Sequence, residues 1–85
     1  MAEVVFTSEA RDQAGALPRA VKARVEKLLE RLRKWPAVSG AKPLTGNLAG
    51  RFRLRTGDYR VQFRVERETV IVERIGHRDR FYGDR

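Results

Sequence analysis

Cysteine is absent from these 85 residues. That excludes disulfides and thiolate metal sites, and it suits a reducing compartment. A single histidine is too few for a zinc site built on imidazoles, so neither a metal nor a cofactor is expected. No apolar run approaches the roughly 20 residues needed to span a bilayer. The opening Met1-Ala2-Glu3-Val4-Val5-Phe6 lacks the basic stretch and long apolar core of a secretory signal. A soluble, cytoplasmic domain without a membrane partner is therefore expected. At this length it is one domain, 1–85, near the small end of what folds without staples. Lysine is also scarce. Of 19 basic residues only Lys22, Lys27, Lys34 and Lys42 are lysines, leaving 15 arginines, against 11 acids and a net charge of +8. Arginine binds phosphate bidentately and stacks on bases, so this bias points to an anionic partner, nucleic acid above all. Arginine-rich codon usage would also explain the ratio, and an acidic protein would also neutralise the charge.

Codon usage does not explain the clustering. Arg51, Arg53 and Arg55 alternate with Phe52 and Leu54. After Thr56-Gly57-Asp58, Arg60 and Arg64 alternate with Tyr59, Val61, Phe63 and Val65. Residues two apart share one face of a strand, so this hairpin has an apolar face and a face crowded with guanidinium groups. Like charges opposed across strands repel. Phosphate is the natural neutraliser.

The remaining elements follow from local signals. Val4-Val5-Phe6 favours a short strand. Thr7 or Ser8 caps a helix with Glu9 and Asp12 in its first turn, and this helix extends to about Leu17. Pro18 suits the start of a second helix. Val21, Val25, Leu28, Leu29 and Leu32 form one apolar stripe along it, opposite Lys22, Arg24, Lys27, Arg31 and Lys34. Trp35-Pro36 ends the helix, with Trp35 expected in the core. Residues 37–50 read as a loop, followed by strands at about 51–56, 59–66 and 69–75. Two short turns make these strands antiparallel neighbours, and Val70-Ile71-Val72 marks the last as central. The expected fold is α+β: an N-terminal strand, a two-helix hairpin, then a three-stranded antiparallel meander, with the helices on one sheet face. Phe52, Leu54, Tyr59, Val61, Phe63 and Val65 should receive the second helix, leaving the arginine face open.

Three motifs in this order carry a family resemblance: Pro43-Leu44-Thr45-Gly46-Asn47-Leu48-Ala49-Gly50, Arg51-Phe52-Arg53-Leu54-Arg55-Thr56-Gly57-Asp58-Tyr59-Arg60, and Gly76-His77-Arg78 followed by Tyr82. With the strand and helical hairpin before them, they resemble the RelE/ParE superfamily of toxin–antitoxin toxins along essentially the whole chain. The RelE branch cleaves messenger RNA in the decoding site of the ribosome; the ParE branch shares the fold and acts on DNA gyrase. By position, the resemblance puts the RelE catalytic set on Arg51, Arg53, Arg60, Arg78 and Tyr82. It also implies an acidic antitoxin, a toxin–antitoxin hetero-oligomer, and a ribosome carrying mRNA, with contacts to 16S ribosomal RNA. Lysine is common in RelE toxins at the first two positions. The arginines found here cannot accept a proton near neutrality.

RNA is cleaved when its 2′-hydroxyl attacks the adjacent phosphorus, giving a 2′,3′-cyclic phosphate and a 5′-hydroxyl. The reaction needs a base, charge stabilisation in the transition state and an acid for the leaving oxygen. Arg60 and Arg78 suit the scissile phosphate, and Arg51, Arg53, Arg55 and Arg64 the flanking phosphates. His77 has the side chain that exchanges protons near neutrality, and Tyr82 suits base stacking or proton transfer. These four, Arg60, Arg78, His77 and Tyr82, form the expected catalytic group. A gyrase inhibitor without nuclease chemistry, or a basic module that only contacts nucleic-acid backbone, fits the same arginine row.

Overall fold

Alternation along the last third of the chain produces three antiparallel strands, and two further strands flank them. The computed structural model describes residues 2–79. In chain order the elements are β1 (Glu3–Phe6), α1 (Ser8–Gly15), α2 (Arg19–Leu32), β2 (Lys42–Pro43), a 3₁₀ turn at Gly46–Leu48, β3 (Arg51–Thr56), β4 (Tyr59–Glu66) and β5 (Thr69–His77). The sheet order is β1-β5-β4-β3-β2, with β1 parallel to β5 and the other pairs antiparallel. The architecture is therefore α+β, with the expected antiparallel meander of β3, β4 and β5 at the centre of one mixed sheet whose edges are β1 and β2. The 37–50 segment, read as loop, contributes β2 at the far edge. β5 runs two residues beyond the expected end, which sets His77 on the sheet.

The core lies between the helices and one sheet face. Ala10 of α1 and Val25, Leu28 and Leu32 of α2 are buried with Leu54, Val61, Phe63, Val70, Val72 and Ile75. Val21 and Leu29, at the margins of the α2 stripe, are half-buried against this cluster. Trp35 closes the end of the core as expected. Its ring meets Phe52 edge-on at 4.9 Å and Phe63 at 5.4 Å, while Phe52 and Phe63 stack at 5.6 Å. Such pairs add about 0.5–1.5 kcal/mol each beyond their buried area. Tyr59 departs from expectation: it is half-buried and holds its ring edge-on to His77 at 5.3 Å instead of joining the core.

One irregularity sets the geometry of the open face. Gln62 pairs with Arg74 and Phe63 with Val72, so Glu73 is an extra residue in β5. Strict alternation from Val70 and Val72 would carry Ile75 outward; the bulge returns it to the core, where it is buried. β1 accompanies β5 only as far as Val72. Beyond that point two side chains of the α1 region take over its hydrogen bonding. Thr7 Oγ1 accepts from Ala10 N at 3.1 Å as the helix cap and donates to the Glu73 carbonyl at 3.2 Å. Gln13 Oε1 accepts from the Ile75 amide at 2.7 Å. The bulge is thus bolted to the first helix.

Candidate nucleic-acid interface

The β3–β4 register builds the basic face from opposed pairs: Arg51 with Arg64, Arg53 with Gln62, and Arg55 with Arg60. All five sequence-predicted arginines of the hairpin therefore line up along the two strands. They do not form one uniform row, because Glu73 divides it.

Glu73 Oε1 accepts from Arg51 Nε at 2.7 Å and from Gln62 Nε2 at 3.2 Å, while Oε2 accepts from Arg64 Nε at 3.0 Å. Its side chain is 16% exposed, against 34% for Arg51 and 33% for Arg64. Burial pushes the Glu73 carboxyl up, but hydrogen bonds from Arg51, Gln62 and Arg64 and the Arg51 charge outweigh this and hold it below its usual range. Arg64 also donates to Glu66, and that bond, against partial desolvation, raises the guanidinium above its ordinary value. Sequence reading passed over Glu73. The available signal was a lone acid between Val72 and Arg74, opposite the arginine strands, where the apolar spacing slips from Val70 and Val72 to Ile75.

The other end of the face is organised around the two-residue turn Gly57-Asp58. Gly57 takes φ 59°, the left-handed value that glycine adopts freely at the first position of such a hairpin turn. Arg60 is 6% exposed and donates through Nη1 to the Gly57 carbonyl at 3.2 Å. The Arg78 amide donates to the Asp58 carbonyl at 2.7 Å, and Arg78 Nε lies 3.9 Å from Asp58 Oδ1. Arg60 and Arg78 are thereby gathered at the same turn, the first buried and the second half-exposed. His77 pairs with Tyr59 across the strands. Its Nδ1 accepts from the Asp79 amide at 3.2 Å and lies 3.6 Å from Asp79 Oδ2. With Nδ1 accepting, the neutral ring carries its proton on Nε2. Tyr82 lies outside the described residues.

Between the two ends, along the outer side of β3, lies a cleft of about 410 Å³ lined by Gly40, Lys42, Arg53, Leu54, Arg55 and Arg60. It exists because β2 pairs only with Phe52 and Arg53, leaving β3 uncovered from Leu54 onward. A second hollow of about 510 Å³ surrounds the ion-paired end, with Arg51, Gln62, Glu73 and Arg74 in its wall. Among the described residues no cluster of His, Asp and Glu has metal-site geometry, and no helix is long and apolar enough to cross a membrane.

A small mixed sheet with two helices on one face and arginines on the other is an α+β fold built to present a basic surface. The family described as the ParE toxin of type II toxin–antitoxin system, parDE, matches residues 4–82. The chain is 40% identical to Toxin RelG of Mycobacterium tuberculosis (strain ATCC 25618 / H37Rv) over 82 residues, covering 93% of each protein. It superposes with TM-score 0.79 on a chain of the toxin–antitoxin complex RelBE2 from Mycobacterium tuberculosis, at 33% identity and 91% coverage of each. The isolated RelE toxin of E. coli matches in fold with TM-score 0.77 at 17% identity, over 91% of this chain and 84% of that one. The chain belongs to the ParE toxin family, within the RelE/ParE superfamily, and is a toxin of a type II toxin–antitoxin system.

Proposed function

We propose that this toxin is a ribosome-dependent endoribonuclease that cuts messenger RNA by 2′-hydroxyl attack on the adjacent phosphorus. The observation that supports the reading is that Arg60 and Arg78 both bond the Gly57-Asp58 turn at one end of a basic face, while His77 stands beside Tyr59 on the other side of the same strand end. Two guanidinium groups there offset the charge that builds on the phosphoryl oxygens in the transition state. His77 in its imidazolium form, with the Asp79 carboxylate behind Nδ1, gives its Nε2 proton to the departing 5′-oxygen and is left as the neutral ring. Tyr82 stacks on an unpaired base near the scissile bond. The products are a 2′,3′-cyclic phosphate and a 5′-hydroxyl. Arginines stabilise charge but do not remove protons, so the 2′-hydroxyl proton passes to solvent water and free RNA is cut slowly. The ribosome supplies the in-line orientation of the 2′-hydroxyl, a contribution that reaches several orders of magnitude in rate. Arg53 and Arg55 bind message and 16S ribosomal RNA, and the protein works in the cytoplasm where ribosomes are.

The partner that restrains it is a small acidic antitoxin covering the basic face in a toxin–antitoxin hetero-oligomer. The similar structures from Mycobacterium tuberculosis and Methanococcus jannaschii are of toxin–antitoxin complexes. The ParE name of the matching family keeps gyrase inhibition as a second reading.

The deciding test translates a reporter message on purified ribosomes and maps new 5′ ends by primer extension. Wild-type protein should cleave within codons, and Arg78→Ala should lower the rate about 100-fold, the cost typical of losing one oxyanion donor. Arg60→Ala should do the same, with circular dichroism confirming its fold, because Arg60 is buried. Intact message together with inhibited DNA supercoiling would establish the gyrase reading instead.

A further inference from the structure

The basic face has two unlike halves. At one end Glu73 bonds both Arg51 and Arg64, and Gln62 completes its coordination. A carboxylate bridging two guanidinium groups occupies them as a phosphate group would. Its position is not adjustable: Glu73 is the extra residue of the β5 bulge, and its carbonyl is tied to Thr7. At the other end the cleft of about 410 Å³ collects Lys42, Arg53, Arg55 and Arg60. Lys42 and Arg55 are exposed, and neither forms an ion pair among the described residues.

We propose that Glu73 is a resident counter-anion that withdraws Arg51 and Arg64 from substrate binding, and that the phosphates of single-stranded RNA are taken by the Lys42–Arg55 cleft. The nuclease reading above supplies only the choice of RNA as ligand. Lys42, on the two-residue strand β2, becomes a phosphate-binding residue. Arg51 and Arg64 become scaffolding. RNA then runs along the uncovered edge of β3 toward the Gly57-Asp58 turn, so the cleft feeds directly into the Arg60–Arg78 end.

Counterion release gives this a quantitative test. Each phosphate neutralised on a single strand contributes about 0.7 to the slope of log K against log salt. Referred to 1 M, one contact is therefore worth about five-fold in affinity at 0.1 M salt. The probe is a fluorescein-labelled ten-nucleotide RNA with 2′-O-methyl riboses, which cannot be cleaved, read by anisotropy between 50 and 300 mM KCl. Lys42→Gln and Arg55→Gln, both at exposed positions, should each weaken binding about five-fold at 0.1 M and flatten the slope by about 0.7. Arg51→Gln and Arg64→Gln should change affinity less than about two-fold. Glu73→Gln should release two cations, tighten binding by up to about 25-fold and steepen the slope by up to about 1.4. The inference is overturned if Arg51→Gln and Arg64→Gln weaken binding as much as Arg55→Gln, or if Lys42→Gln and Arg55→Gln leave the slope unchanged. Should Glu73→Gln misfold, the four single substitutions decide alone. Ribosomal cleavage by the wild-type protein is scored separately. Its absence beside the expected binding pattern removes the nuclease reading and leaves the cleft, while cleavage beside an insensitive cleft does the reverse.

Discussion

Replacing Gln13 with leucine tests how the sheet is held where β1 ends. Gln13 Oε1 accepts from the Ile75 amide at 2.7 Å, and its Nε2 donates to Glu9 at 3.2 Å on the helix surface. Ile75 is only 2% exposed, so leucine of similar size strands a donor with little access to water. A buried unsatisfied donor costs about 1–3 kcal/mol, whereas the exposed Glu9 bond contributes well under 1 kcal/mol. The expected loss is about 1.5–3 kcal/mol, a large share of the roughly 5–10 kcal/mol available to a domain this small. With a urea m-value of about 1 kcal/mol/M, the midpoint should fall by about 1.5–3 M at constant m. Gln13→Glu supplies the control. A carboxylate oxygen accepts from the same amide, so that variant should stay within about 0.5 kcal/mol of wild type, including the repulsion from Glu9 one turn away. Native-state hydrogen exchange adds the local readout: the Ile75 amide should lose protection in the leucine variant and keep it in the glutamate variant. A Gln13→Leu protein as stable as wild type, with Ile75 still protected, would refute the claim that α1 completes the hydrogen bonding of β5.

Two further outcomes follow from the same framework. The Glu73 carboxyl is held below its unfolded value, so its contribution to stability is fully present above that unfolded value, near 4.5, and is lost as pH falls through the lower folded one; Glu73→Gln should flatten the acid limb of stability against pH in urea titrations, and an unchanged limb would disprove the linkage. Arg67 sits at φ 57° in the β4–β5 turn, where a side chain costs about 1–2 kcal/mol and glycine about 0.5–1 kcal/mol of chain entropy. Arg67→Gly should therefore raise the melting temperature by about 3–6 °C in calorimetry, and no rise would mean the turn is unstrained.

The arginine hairpin was legible because strand alternation is a local property: Arg51, Arg53 and Arg55 share a face wherever the strand lies in the sheet. The α2 stripe was legible for the same reason, and so was the Trp35 stop. Tyr59 was misassigned to the core because period alone places it with Val61 and Phe63, while the cross-strand partner His77, fixed only by register, claims its ring. β2 escaped notice because two residues carry no period, and a strand that short forms only where a neighbour is waiting.

What the sequence by itself determined is composition and face: one basic domain without cysteine, apolar residues on one side of each strand, arginines on the other, and motifs placing the chain among RelE/ParE toxins. Tertiary structure alone decided which arginines are committed to a protein carboxylate and which line an open cleft. Glu73 reaches Arg51 and Arg64 across 22 and 9 positions of sequence, and no local rule connects residues so separated. Pairing across strands depends on where the chain folds back, and a single extra residue in β5, held by Thr7 and Gln13 from the first helix, settled it.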